Sequence, residues 1–160
     1  MSDSIVIRRE RPDQPEVQAL LADLDRYLAS LYEPEANHIL DVQALLAPEV
    51  SFYVARADQR PVGTAAYRRM AGEPDTGGQA YGEIKRMYVD PALRGRRLGV
   101  RLLATLEDGL RTEGLPLALL ETGREQAEAV RLYERCGYTE RPAFGGYPDN
   151  GLSFFYGKTL

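Results

Sequence analysis

The stretch Val89-Asp90-Pro91-Ala92-Leu93-Arg94-Gly95-Arg96-Arg97-Leu98-Gly99 decides the fold, because it joins a strand to a helix through a cationic turn. Upstream, Tyr81–Val89 reads as a strand closed by Asp90-Pro91. Downstream, Leu98, Leu102, Leu103, Leu106 and Leu110 form the apolar stripe of an amphipathic helix that begins near Arg96 and stops at Gly114-Leu115-Pro116. Arg94, Arg96, Arg97 and Arg101 crowd the start of that helix. Its dipole already places about half a positive charge there. Such crowding is locally unfavourable unless an anion sits in the turn. The free amides of a helix start, with Gly95 and Gly99 permitting close approach, make a phosphate cradle. A solvated basic helix end is the competing reading. Neither the Walker pattern GxxxxGK followed by Ser or Thr nor the dinucleotide pattern GxGxxG is present.

Outward from this turn, strands run in series and then alternate with helices. Ile5–Ile7 reads as a first strand, and Val17, Leu20, Leu21, Leu24, Leu28 and Leu31 place one stripe on a helix of about four turns that Pro34 ends. A short helix over Asp41–Leu46 follows, with Asp41 as its cap. Val50–Ala55 and Val62–Met70 read as a hairpin turning at Asp58-Gln59-Arg60. Ala71–Ala80 is a Gly-rich loop. Leu117–Thr122 is a nearly all-apolar central strand. Glu125–Cys136 is a helix stopped by Gly137, and Tyr138–Arg141 and Ser153–Leu160 close the chain as strands. The order β-α-α-β-β-β-α-β-α-β-β predicts an α/β (mixed α+β) fold, a mixed sheet flanked by helices, and excludes pure parallel winding.

The whole chain fits this plan as one domain, residues 1–160, since 160 residues bury roughly 70% of the unfolded surface without disulfide or metal. Hydrophobic residues at 44% and charged residues at 28% are ordinary globular composition. The net charge of −4 disfavours general attraction to nucleic acid or anionic membrane. The single cysteine, Cys136, excludes an intrachain disulfide and a Cys-rich zinc site, and reads as a core residue. His38 is the single histidine and reads as structural or solvated. No basic stretch followed by an apolar run opens the chain, and no apolar run nears the roughly 18 residues of a membrane helix. A cytoplasmic location is expected.

The strand, Val89-Asp90-Pro91 and Arg94-Gly95-Arg96-Arg97-Leu98-Gly99 resemble the acetyl-CoA pyrophosphate loop of the GNAT family of N-acetyltransferases, Q/R-x-x-G-x-G/A. Arg97 stands where the family most often has glycine. Leu132-Tyr133-Glu134-Arg135-Cys136-Gly137-Tyr138 is similar to the family's L-Y-x-x-x-G-F/Y. The resemblance spans Ile5 to Leu160 and implies a GNAT fold, with a mostly antiparallel central sheet. It implies acetyl-CoA as co-substrate, and the pantetheine arm lies along Met87, Tyr88 and Val89. Arg94, Gly95, Arg96, Arg97, Leu98 and Gly99 would hold the phosphates, and Gln126 stands where relatives often carry a cofactor-bonding asparagine. Many relatives dimerise, so a homodimer is compatible with the resemblance. No metal and no covalent enzyme intermediate are implied.

Moving an acetyl group from a thioester to an amine requires a neutral amine, a stabilised oxyanion and a proton for the leaving thiolate. A lysine-like amine is neutral in about 1 part in 2,500 at pH 7, a cost of roughly 4.6 kcal/mol, whereas an α-amine costs roughly 1.2 kcal/mol. A base or a water relay must offset that cost. Glu83, near the start of the strand leading into the phosphate loop, matches the family's glutamate base, directly or through a water; an exposed strand-end carboxylate is its bland reading. Glu121 is its competitor. Tyr133 matches the general acid, against a plain core tyrosine.

Tyr32, Glu33, Glu35, Tyr147 and Asp149 fall in connections that border the acceptor in relatives, and favour a cationic or amino-bearing substrate, against a reading as solvated loop residues. The expected activity is acetyl transfer to a primary amine of a small molecule or peptide end. The alternative is a non-catalytic CoA-ester-binding regulatory module. A nucleic-acid-binding use of the arginine patch is opposed by the overall acidity.

Overall fold

Runs rich in β-branched and aromatic residues in the first strands build an antiparallel platform on which everything else is placed. The computed structural model describes residues 4–33 and 40–160. His38, Pro34 and Glu35 therefore lie outside the described residues. Strand β1 (Ile5–Arg9) pairs with β2 (Val50–Ala57), and β2 with β3 (Arg60–Met70), all antiparallel. The β2–β3 turn is tighter than three residues, because Asp58 and Gln59 both take positive φ, 49° and 74°, as a two-residue hairpin turn requires. Strand β4 (Tyr81–Val89) continues the meander, β5 (Leu117–Gly123) lies parallel beside it, and β7 (Ser153–Thr159) and the short β6 (Thr139–Glu140) complete the sheet. The spatial order is β1-β2-β3-β4-β5-β7-β6.

The helices cover both faces. Helix α1 (Pro15–Leu31) and the single turn α2 (Val42–Leu45) lie on one face. Asp41 caps α2 as expected, its carboxylate accepting from the Ala44 amide at 2.9 Å. Val17, Leu21, Leu45, Phe52, Val54 and Ala66 form the core there. Helix α3 (Leu98–Thr112) and α4 (Ala127–Arg135) form the other layer. All five leucines of the α3 stripe are buried, and each such burial stabilises by about 1.5–3 kcal/mol. Of the α1 stripe, Val17, Leu20, Leu21 and Leu24 are buried, while Leu28 lines a cavity.

Two departures from a regular sheet make room for a site. The parallel β4–β5 pairing covers only Gly82–Ala118 and Glu83–Leu119, and beyond these pairs the two strands part. In β4, Arg86 and Met87 together face Ala65 of β3, a bulge in which Arg86 takes φ 55°. The Thr64 hydroxyl donates to the Arg86 carbonyl at 2.8 Å and pins it. Bulges beside functional sites re-aim side chains, and a left-handed non-glycine residue is held against about 1–3 kcal/mol of strain.

Candidate active site

The opening between β4 and β5 gathers most of the residues singled out from the sequence. On one side lies a cleft of about 450 Å³ lined by Met87, Tyr88, Val89, Arg94, Gly95, Arg97, Leu98, Gly99, Gln126 and Tyr133 among others. Of the residues expected to hold acetyl-CoA, Arg96 alone is missing from its wall; it is exposed. Arg101 turns away, donating to the Ile5 carbonyl at 2.9 Å.

The turn that closes β4 is built residue by residue. Asp90 accepts from the Ala92 amide at 3.0 Å and starts a single 3₁₀ turn, Pro91–Leu93. Gly95 then takes φ 86° and Arg97 takes φ 59°. Because Arg97 is left-handed it cannot be helical, so α3 begins at Leu98 rather than near Arg96. No side chain caps this helix and no acid occupies its first turn. The first amides therefore keep their donors for an outside acceptor. Gly95 serves the backbone, since a Cβ there would meet nothing within 4 Å. At Gly99 a Cβ would lie 2.8 Å from Leu132 Cδ2, so this glycine also lets α3 approach α4.

Helix α4 contributes cations that the sequence reading did not single out. Glu128, Arg131, Leu132 and Arg135 fall at helical spacing and line the same cleft. That i, i+3, i+4, i+7 face was the available signal. Arg94 pairs with Glu128 at 3.3 Å, both side chains well exposed, so an incoming anion meets little resistance there.

Tyr133 faces this cleft and also a second cavity, of about 100 Å³, on the far side of the opening. Leu24, Met87 and Gln126 line both spaces as well, so the two meet at Tyr133. Its ring stacks edge-on against Tyr138 with centroids 6.0 Å apart. Burial, then the neighbouring acidic groups Glu121 and Cys136, hold its hydroxyl well above the usual tyrosine range. The proton therefore stays on Tyr133 throughout the neutral range.

The second cavity carries Glu121, Thr122 and Ser153 opposite Leu24, Leu28 and Leu152. The Ser153 hydroxyl donates to Glu121 at 2.5 Å. Tyr32 closes one side, accepting from the Glu125 amide at 3.1 Å, and a side chain at Gly123 would collide with its ring.

Glu83 lies deeper than expected. It is 2% exposed and is absent from the walls of both spaces. The Tyr147 hydroxyl donates to it, Lys85 Nζ stands 3.4 Å away and Arg68 3.9 Å away. Lys85 Nζ also donates to Tyr147 at 2.6 Å and is itself part of the second cavity's wall. Of the other residues expected near the acceptor, Tyr32 reaches the cavity wall, whereas Glu33 and Asp149 do not.

Cys136 is half-buried and lies outside both spaces. Burial pushes its thiol up, so the nucleophilic thiolate is disfavoured. Among the described residues, no group of three or more His, Cys, Asp and Glu side chains could hold a metal ion. No described helix is long and apolar enough to cross a membrane.

Known proteins match this chain over nearly its full length. A protein from Azospirillum brasilense named IAA acetyltransferase is 45% identical over 157 residues, covering 98% of this chain and 99% of its own. A crystal structure from Klebsiella pneumoniae, assigned as an acyl-CoA N-acyltransferase, is 34% identical with a TM-score of 0.78 and covers 99% of both chains. The PaiA N-acetyltransferase of Thermoplasma acidophilum, solved in complex with coenzyme A, shares the fold at 17% identity and a TM-score of 0.69, covering 98% of this chain and 99% of that one. The sequence profile of the acetyltransferase (GNAT) family matches residues 17–138, a span that holds the parted strands, the arginine-rich turn and Tyr133. The chain belongs to that family and is an acetyltransferase.

Proposed function

We propose that the protein transfers an acetyl group from acetyl-CoA to a primary amine of a small molecule or peptide end, by direct attack in a ternary complex. One observation carries this reading: the arginine-lined cleft and the smaller cavity meet at Tyr133. A thioester reaching from the cleft and an amine entering from the cavity would converge there, with Met87 and Gln126 beside them. The Thermoplasma relative, which shares the fold, was solved holding coenzyme A. Direct attack is supported by the position of Cys136, whose thiol faces neither space.

The roles follow from position. The α3 amides, Arg94, Arg97, Arg131 and Arg135 would bind the cofactor phosphates. Tyr133 would donate a hydrogen bond to the sulfur as thiolate charge develops. Glu121, in the cavity wall, would take the amine proton directly. The resemblance favours Glu83 for that role, but its burial leaves a path only through Lys85, Tyr147 or a water.

Mass action tests the cofactor. At a hundredfold excess over its Kd, acetyl-CoA should stabilise the fold by about 2.7 kcal/mol. A melting temperature indifferent to saturating acetyl-CoA and CoA would remove the assignment.

Arg97 separates stability from binding. Its left-handed backbone costs about 1–2 kcal/mol, of which glycine's extra unfolded-state freedom returns roughly 0.4–1 kcal/mol. Arg97→Gly should therefore melt slightly higher without ligand, yet bind acetyl-CoA more weakly by about 1.5–3 kcal/mol if the guanidinium meets a phosphate. Unchanged affinity by calorimetry would make Arg97 a bystander.

The 45% identity to the Azospirillum protein favours a second reading, that this chain takes IAA as its acceptor. Including IAA among the candidate acceptors separates the two.

A further inference from the structure

We infer that the acceptor is a small zwitterion: a primary amine and an anionic carboxylate or phosphonate carried on one short apolar skeleton. This rests on the amine acetyltransferase reading above and names its substrate class. The second cavity measures about 100 Å³, well under the roughly 300–1,000 Å³ of clefts that take drug-sized ligands. A polyamine, aminoglycoside or peptide could enter it only by an end. Its walls are divided in character. Leu24, Leu28, Leu40, Ile84 and Leu152 supply apolar surface, and Lys85, Arg86 and Glu121 supply charge of both signs.

The cations owe their position to the backbone. In a regular strand Lys85 and Arg86 would face opposite sides of the sheet. The bulge at Arg86, beside the gap where β4 and β5 part, brings Lys85, Arg86 and Met87 into one wall. Placing a guanidinium there is costly, since Arg86 is 9% exposed. Its Nη1 donates to Asp25 at 2.6 Å, a carboxylate half exposed on α1, and its buried Nε–H finds no acceptor among the described residues. An anionic group in the cavity would meet Lys85 and Arg86, and exchange for Asp25 would complete the guanidinium fork. The ammonium end would then point toward Glu121, on the side where Tyr133 joins the two spaces.

The test measures acetyl-CoA thiol release by the full chain with leucine, its phosphonate analogue, its decarboxylated amine and spermidine as acceptors. Leucine or the phosphonate should exceed the decarboxylated amine at least tenfold in kcat/KM, because losing the anion removes its charge-assisted contacts to Lys85 and Arg86. The faster of the two identifies the anion. Lys85→Met should shrink that ratio severalfold through KM, and Arg86→Lys, which keeps the charge in a buried position, should shrink it while the melting temperature confirms folding. Equal or faster turnover of the decarboxylated amine or spermidine would overturn the inference and leave amine acetylation standing. So would a Lys85→Met enzyme that keeps the full preference. Release with none of these or any other amine would instead remove the amine reading itself.

Discussion

Tyr133→Phe is expected to lower kcat by about 10²–10⁴, the range of a lost acid or base contact, with little change in acetyl-CoA affinity. The substitution removes one hydroxyl and keeps the ring that packs edge-on against Tyr138, so the fold should survive. The pH dependence adds a sign. Burial raises the Tyr133 pKa above its ordinary value of about 10, so the donor form is full below that pH and is lost only as pH rises through the raised value. No falling limb between pH 6 and 9 should trace to this group. The variant should then stay slow across that whole range. A Tyr133→Phe enzyme that melts earlier with kcat intact would return the tyrosine to a packing role.

Removing the base should be as large at neutral pH and should fade as pH rises. Glu121→Gln takes away the carboxylate in the cavity wall, and about 10²–10⁴ in rate is at stake at pH 7. Higher pH supplies neutral amine from solution, so the deficit should narrow toward pH 9. Glu83→Gln separates the two carboxylates. If Glu83 only holds Lys85 and Tyr147 in place, its variant should change KM for the acceptor more than kcat, with no recovery at high pH. If Glu83 draws the proton through Tyr147, the pH-recovering profile belongs to it, and Glu121→Gln keeps the parent's rate. Rate against pH for both variants, with one acceptor, decides between them.

The elements were legible because each carried a local rule. Leucine spacing gave α1 and α3, Asp41 gave the start of α2, and the apolar run at Leu117–Thr122 gave the central strand. The cofactor side was equally legible, since its residues are contiguous: β4, the turn and the start of α3 supply most of one wall. Arg97 hid the true helix start, because nothing local forbids an arginine from being helical and only the folded turn makes it left-handed. The acceptor side was harder. Its wall draws short groups of residues from α1, β4, β5 and the start of β7, far apart in sequence. Glu83 and Glu121 look alike in the sequence, each the lone carboxylate of its strand. Their difference is tertiary: the aromatic cluster of Phe144, Tyr147 and Phe155 stacks beside Glu83, and Tyr147 bonds it, while Glu121 sits where the strands have parted. The charges at Lys85 and Arg86 were likewise in plain view, but the bulge that brings them into one wall depends on pairing with β3.

The central claim, that an amine attacks the thioester directly where the two spaces meet, is tested most directly by initial rates with acetyl-CoA and an accepted amine varied together. Direct attack in a ternary complex predicts double-reciprocal lines that intersect, with the acetylated amine as product and no acetyl left on the protein by mass spectrometry. Parallel lines, with acetyl-protein accumulating when acetyl-CoA is supplied alone, would contradict it.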